Sequence, residues 1–575
     1  MITFNKKMVK AKYGCFEWIL IGFISILSIY YIFISGKRYF NFDEFKVLYS
    51  SAALLRDKSL YTDPIDSHFP LVHILYSVLI YFSGFKAVAI IAARYFIFCV
   101  NGITVYYIYK IGLFLWDRKT GLMAVALTLV TVTFMNKGIE IRHDVFNTMF
   151  NVVGAYYALK YIDREKYLYL ILSGLFCGLA IASTQKAMVG SIGIISGVII
   201  HFLRTKSYKR IFKTILTYTV MILVPLTVCV IYLVLKHNES IVMFYKHAVL
   251  DTFMVYSPHT SQGTYPFPLS RYGLLQILFS QNPLFYIMSI VGTVWLGISW
   301  IRNSSEKIVL ISWTTIGFLF YLTSKRPFYQ SFLPTIPPLA IMASSYLSWI
   351  EEKVNDAQSY QKWIAYILCA FFLFVWPSYL LAKVVIGPVV MHHQIDNIDF
   401  CQDVLKEGEK VMCLTQNQIF FDPVMTIREK DCGDYLYNWD GECFEKKMIK
   451  AQSKIIIYDY RTSLLNKRIQ NKIKNNYVYT KIGEILIPGF KIPPKKSIEK
   501  YIWIDGYYYT SDTSLLIDGK KVDGNPVQLK QKSYNVYNPL DKPILLVYIF
   551  NPESGINDNS LLDKYIHNML LIKPN

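Results

Sequence analysis

The chain is poor in charge: only 17% of its 575 residues are Asp, Glu, Lys or Arg, against about 25% in an ordinary soluble protein. That shortage excludes a soluble globular fold. Glycine (29) and proline (22) are too scarce for a collagen-like or disordered chain, and neither internal repeats nor low-complexity segments occur. No Cys-x-x-Cys pair exists among the nine cysteines, which argues against a structural zinc site. What fills the sequence instead is apolar: 53% hydrophobic residues, 16% aromatics and a mean hydropathy of +0.31. The net charge of +20 would suit a nucleic-acid partner if it were clustered. Here the basic residues sit in short loops between apolar runs, where they report membrane orientation, and no nucleic acid is expected.

Runs of about 17–25 apolar residues are long enough to cross a bilayer as helices. They fall near 16–35, 87–109, 121–136, 145–161, 167–184, 187–203, 211–235, 283–301, 308–323, 331–349 and 362–386. The sequence thus reads as a multi-spanning α-helical membrane protein of about eleven transmembrane helices. The first run has no small-residue cleavage site and reads as a retained anchor. One set of alternate loops carries Lys6, Lys7, Lys10 and Lys12, then Arg118 and Lys119, Arg164 and Lys166, and a dense group from Arg204 to Lys213. The other set is poorer, with Lys137, Arg142, Lys186, Lys325 and Arg326. The richer set is expected in the cytoplasm with the N terminus. An odd number of spans then leaves the C-terminal part outside the cell membrane. The apolar stretch 70–84 is too short to span and reads as an interfacial or re-entrant helix on the outer face.

Beyond about residue 390 the spans stop. The expected organisation is a membrane domain over residues 1–390, a mixed α/β region over 391–495 and a β-rich region over 496–575, both extracytoplasmic. Extended segments are expected at 410–414, 455–458, 501–508, 515–522, 534–537 and 544–550, the later ones forming a small sandwich. Asp518-Gly519 is a strong hairpin signal. Cys432 and Cys443 are the easiest pair to join in an oxidising exterior. Trp503 and its neighbouring tyrosines read either as sugar-stacking platforms or, more simply, as core.

Chemistry is carried by the outer loops. Phe42-Asp43-Glu44-Phe45-Lys46 follows the first span; two carboxylates at a membrane surface serve as a base or a ligand, or merely end a helix in water. The loop holding Glu140, Arg142, His143 and Asp144 lies between two spans, where charge is expensive unless used or paired. An Arg142–Asp144 ion pair is the plain reading there. The long connection 236–282, with His247, Asp251 and His259, reads as a lid or binding element in contact with substrate. His392-His393 reads as an exposed linker pair rather than a metal site.

The order of these features resembles a family. Asp43-Glu44 after the first span is followed by Leu60-Tyr61-Thr62-Asp63, Phe69-Pro70-Leu71, Arg94, Arg142-His143-Asp144, the run Gly174-Leu175-Phe176-Cys177-Gly178-Leu179-Ala180 leading to Lys186, and Tyr329-Gln330-Ser331-Phe332-Leu333-Pro334 with Pro337-Pro338. The series is similar to the GT-C class of membrane glycosyltransferases over residues 15–350. Within that class it resembles the branch of lipid A aminoarabinose transferases and protein O-mannosyltransferases. The resemblance implies a GT-C-like helical domain, with a C-terminal extracytoplasmic α/β plus β-sandwich-like domain. It also implies transfer of a sugar from a polyprenyl-phosphate donor to a cell-envelope lipid, glycan or protein acceptor, with inversion at the anomeric carbon.

Residue by residue, the resemblance makes Asp43 the catalytic carboxylate with Glu44 beside it, and puts Lys46 where an Arg often follows. Asp144 matches a second acidic position that joins Asp43 around a divalent cation (Mg or Mn) in some members. Lys46, Arg142, Lys186, Lys325 and Arg326 are the expected donor-phosphate contacts; His68, His247, His259 and Tyr329 are the expected substrate contacts. The aminoarabinose branch has a phosphate-binding Lys directly before the loop proline; Phe69 stands there in this chain and His68 one residue earlier. The competing function is a transporter or flippase of lipid-linked glycans. That machine would place ionisable groups in the middle of spans rather than at their ends.

Overall fold

The computed structural model describes residues 14–62, 66–251, 271–302, 306–323, 328–354, 367, 370–385, 391–415, 417–425, 432, 439–482 and 484–550. The chain folds as two compact units: residues 1–38, 53–83 and 88–389 form one, and residues 39–52, 84–87 and 390–575 form the other.

The first unit is helical. Its helices include α1 (Cys15–Ser35), α2 (Phe42–Leu55), whose last turn alone belongs to this unit, α3 (Leu71–Ser83), α4 (Val88–Leu115), α5 (Arg118–Val130), α6 (Val132–Gly138), α7 (His143–Arg164), α8 (Tyr167–Ser183), α9 (Ala187–Arg204) and α10 (Tyr208–His237). Helices Pro283–Arg302, Ile308–Thr323 and Ile336–Val354 follow. Apart from α2, they form in the expected apolar runs or, for α3, in the stretch 70–84. Among the described residues, five helices are long and apolar enough to cross a membrane, or six if one bent pair counts as a span.

That bent pair is a departure from the sequence reading. Residues 121–136 read as a single run, but the helix breaks at Thr131 and turns by 65° between α5 and α6. No proline causes it. The amide freed at the break, that of Val132, donates to Asn282 Oδ1 at 3.1 Å, so a neighbouring side chain supplies the partner that apolar surroundings deny. The expected span at 331–349 likewise opens with a tight 3₁₀ stretch, Tyr329–Thr335, before its α-helix.

Close packing uses glycine. A Cβ on Gly178 of α8 would lie 2.5 Å from the Met221 carbonyl oxygen and 2.9 Å from Ile222 Cα on α10, and one on Gly174 would lie 2.9 Å from Met221 Cβ. The Gly-x-x-x-Gly stripe therefore seats α8 directly on the α10 backbone.

The second unit carries the sheets. Its strands are β1 (Lys410–Val411), β2 (Asp422–Pro423), β3 (Ile456–Ile457), β4 (Tyr477–Tyr479), β5 (Ile485–Ile492), β6 (Ser497–Tyr501), β7 (Gly506–Tyr509), β8 (Leu516–Ile517), β9 (Lys520–Lys521), β10 (Val527–Leu529), β11 (Ser533–Tyr537) and β12 (Ile544–Ile549). One sheet runs β10-β7-β12-β5-β3 with β4 also paired to β5, and a second runs β6-β11-β8-β9. β5 sits before residue 495 and pairs with β12 beyond it, so one sheet spans the two C-terminal regions. Asp518 (φ 50°) and Gly519 (φ 76°) close the β8–β9 hairpin, the two left-handed residues that a type I′ turn requires. Cys432 and Cys443 form a disulfide. Trp503 is buried in the core, with Nε1 donating to Glu445 Oε1 at 3.1 Å.

Overpacking a helix contact of this kind costs about 1–3 kcal/mol. Gly178→Val is therefore expected to lower the melting temperature of the detergent-solubilised protein. Gly297→Ala, where a Cβ meets nothing within 4 Å, is the control expected to leave it unchanged.

Candidate active site

Asp43 is placed by the way its helix starts. Asn41 caps α2: its Oδ1 accepts from Asp43 N at 2.9 Å and from Glu44 N at 3.2 Å, while Glu44 Oε2 accepts from Asn41 N at 3.0 Å. This reciprocal pair is a capping box. Phe40, just before the cap, packs on Phe45 with ring centroids 5.5 Å apart, the apolar staple that accompanies such a box. The two carboxylates thus divide. Glu44 is fully buried and holds the helix end, whereas Asp43 is partly exposed in the first turn, where a negative charge faces the positive end of the helix dipole. Lys46, partly buried, follows on the same helix.

A second group of loops lies within the helical unit. Glu140, fully buried, accepts from Arg38 Nη2 at 3.0 Å and Lys137 Nζ at 2.8 Å, and pairs with Arg142 Nε. Burial alone would push its pKa up; Arg142, Lys137 and Arg38 overcome that and hold the carboxyl well below the usual range. The ion pair that the sequence suggested between Arg142 and Asp144 is therefore corrected: Arg142 pairs with Glu140, two residues back. Asp144 is buried in the first turn of α7. Its neighbour His143 stacks on His68 with centroids 4.1 Å apart, and His143 Nε2 lies 3.2 Å from His73 Nε2. Asp66 ties this group together, with Oδ1 2.9 Å from His68 Nδ1 and Oδ2 3.6 Å from His73 Nε2.

Other expected residues join the same loops. Gln185, beside Lys186, donates to Ser67 O at 2.7 Å and to Ala248 O, next to His247. Lys186 Nζ sits 5.7 Å above the Phe328 ring. Tyr329 Oη accepts from Thr133 Oγ1 at 3.1 Å and donates to Gln281 Oε1 at 2.5 Å. His247 Nδ1 is 2.6 Å from Asp251 Oδ2. The loops of His68, Arg142, Asp144, Lys186, His247 and Tyr329 are thereby linked to one another. His259, Lys325 and Arg326 lie outside the described residues. Sequence reasoning missed Asp66 and His73. The Asp66-Ser67-His68 turn, in which His68 N donates to Asp66 Oδ1 at 2.9 Å, was the local signal for the first; His73 looked like one more residue of an apolar helix.

Among the described residues, no three or more His, Cys, Asp or Glu side chains are placed to hold a metal ion. His392 and His393 stand exposed at the start of helix His392–Val404.

In the second unit, burial pushes Glu484 up to about 7, and the Asp459 carboxylate adds to the rise. Glu484 Oε2 has no hydrogen-bond partner among the described residues.

The sequence profile of the dolichyl-phosphate-mannose-protein mannosyltransferase family matches residues 67–235. Comparison with curated proteins yields no match. Among solved structures, ArnT from Cupriavidus metallidurans bound to undecaprenyl phosphate is similar with a TM-score of 0.57 at 12% identity, over 83% of this chain and 98% of that one. Archaeoglobus fulgidus AglB, in complex with an inhibitory peptide and a dolichol-phosphate, is similar with a TM-score of 0.51 at 11% identity, over 81% of this chain and 74% of that one. An Archaeoglobus fulgidus oligosaccharyltransferase tethered with an acceptor peptide is similar with a TM-score of 0.53 at 12% identity, over 90% of this chain and 74% of that one. The chain has the fold of the GT-C class of membrane glycosyltransferases.

Two predictions come from these charges. Glu140→Gln leaves Arg38, Lys137 and Arg142 without their shared carboxylate and is expected to destabilise the helical unit by about 3–5 kcal/mol, read as a lower melting temperature in detergent. For Glu484 the folded pKa lies above its ordinary value of 4.5. The folded chain then keeps a proton that the unfolded chain has released, so stability is full below about 4.5 and falls as pH rises towards about 7. Glu484→Gln is expected to flatten that slope in melting curves between pH 4 and pH 8 (a range of about 4 units that brackets both values).

Proposed function

We propose that the chain is a membrane glycosyltransferase that moves a sugar from a polyprenyl-phosphate donor to a cell-envelope lipid, glycan or protein. The reaction takes place on the extracytoplasmic face, with the N terminus in the cytoplasm and the C-terminal domain outside. The observation that carries the reading is the linked set of loops in the helical unit, where Arg38, Lys137 and Arg142 gather on one carboxylate and the Lys186 loop joins the turn of His68. A concentration of cations at the ends of apolar helices suits a lipid phosphate, whose charge stays at the surface while its tail lies in the bilayer.

In the proposed step an acceptor hydroxyl attacks the anomeric carbon from the side opposite the phosphate. Asp43 takes the hydroxyl proton. The carbon–oxygen bond to phosphate breaks, its electron pair stays on the phosphate, and the configuration inverts. Arg142, Lys186 and Lys46 stabilise the growing negative charge, with Lys325 and Arg326 as further candidates. Asp144 is the second carboxylate of the site, and His68, His247, His259 and Tyr329 contact the sugar or acceptor. Glu44 acts through the helix end rather than on substrate.

The test is transfer by purified protein supplied with a panel of polyprenyl-phosphate sugars. Asp43→Asn is expected to reduce transfer about 10²–10⁴-fold, the usual contribution of a positioned base, with normal expression and folding. Unchanged transfer removes Asp43 from the reaction.

A further inference from the structure

The segment that carries Asp43 packs with the C-terminal unit: residues 39–52 belong to the same compact body as residues 390–575. Two side chains from far along the sequence grip it on either side of its cap. Gln394 is almost fully buried, and its amide uses both ends on one residue. Oε1 accepts from Phe40 N at 2.7 Å and Nε2 donates to Phe40 O at 2.9 Å. Arg461 lies over the Phe42 ring, with Cζ 3.6 Å from its centroid. The residue before Asn41 and the residue after it are therefore both held.

Arg461 is itself held. Asp459, buried, accepts at Oδ1 from Arg461 N at 2.9 Å, Thr462 N at 2.8 Å and Thr462 Oγ1 at 3.1 Å. At Oδ2 it accepts from Thr415 N at 3.1 Å and Thr415 Oγ1 at 2.6 Å. The turn is thereby locked to Thr415 in the segment that follows β1. Arg461 Nε also donates to Tyr460 Oη at 3.2 Å. Burial pushes the Tyr460 phenol up, Arg461 pulls it down, and the charges of Asp459 and Asp43 push it up again, which places this phenol within electrostatic reach of Asp43.

We infer that Gln394 and Arg461 are positioning residues for Asp43: the C-terminal domain clamps the start of α2 and so sets the direction of that carboxylate. The inference rests on the reading of Asp43 as the base. It gives the C-terminal domain a part in catalysis that needs no contact with substrate. A side chain displaced by about 1 Å from its productive place can lose a factor of about 10² in rate, so holding both flanks of the cap matters to turnover.

The experiment uses the full chain in detergent or nanodiscs, with Gln394→Ala, Arg461→Ala, Arg461→Lys and Asp43→Asn, and with exposed Lys495→Ala as control. Gln394→Ala and Arg461→Ala are expected to lower kcat about 10–100-fold while the KM for the polyprenyl-phosphate sugar stays within about twofold. Arg461→Lys, which keeps a cation over the ring, is expected to recover part of the loss. Amide hydrogen exchange over residues 40–46 is expected to quicken about fivefold in both alanine variants and not in Lys495→Ala. Wild-type kcat and exchange in both alanine variants, with Asp43→Asn inactive, overturns the clamp. Active Asp43→Asn overturns the base instead, and the exchange data then decide the clamp alone: quickened exchange upholds the grip on the helix start, and unchanged exchange removes it.

Discussion

Arg94 is the fixed point of the helical unit. It lies fully buried within α4, and a charge so placed persists only if its donors are met. They are met by the end of α1: Nη1 donates to Ser35 O at 3.3 Å and to Arg38 O at 2.6 Å. A cation there also faces the negative end of the α1 dipole. The same stretch sends the Arg38 side chain to Glu140 and to Asn136 O. The exit of the first helix and the loop before α7 are thus fixed by one continuous network. Neutral packing supplies area, but this network supplies direction, because guanidinium and carboxylate geometry admits few alternatives.

The sequence showed the helices because apolar length is a local property. It showed the β8–β9 hairpin for the same reason, since Asp518-Gly519 declares its turn within two residues. The Cys432–Cys443 bridge closes a separation of only 11 residues, so proximity along the chain was enough. The break at Thr131 was hidden because it depends on Asn282, 150 residues away. The partner of Arg142 was misjudged for a subtler reason: Asp144 and Glu140 lie at equal distance along the sequence, but Asp144 starts α7 whereas Glu140 lies in the loop before it. The hydrogen bonds of Gln394 reach across 354 residues and left no trace that a reading of the chain alone can detect.

Asp43 and Glu44 show how adjacent identical chemistry is separated by backbone. In a capping box the third helical residue turns back to the cap, and the second does not. Asn-x-x-Glu at residues 41–44 is that motif, passed over in the sequence reading, which set Glu44 beside Asp43 at the reaction. Reading it so assigns Glu44 to the helix end before any substrate is considered and leaves Asp43 as the partly exposed carboxylate of the pair. The structural division follows from helix geometry and not from any difference in the acids themselves.

The distribution of ionisable groups also favours the proposed transferase over a carrier. A carrier needs charged side chains along its path that can be released from structural duty in one state. In the described helices the interior charges are engaged: Arg94 is bound to carbonyls, and Lys160 lies over the Phe114 ring at 4.2 Å with its stem packed away. The groups with reactive potential sit instead at helix ends, at Asp43 in the first turn of α2 and at Asp144 and His143 in the first turn of α7. A helix start exposes backbone amides, and the capping residue there fixes the direction of the side chains in the first turn. Such placement suits a base that must accept a proton at one fixed point, and it gives nothing to a charge that must travel.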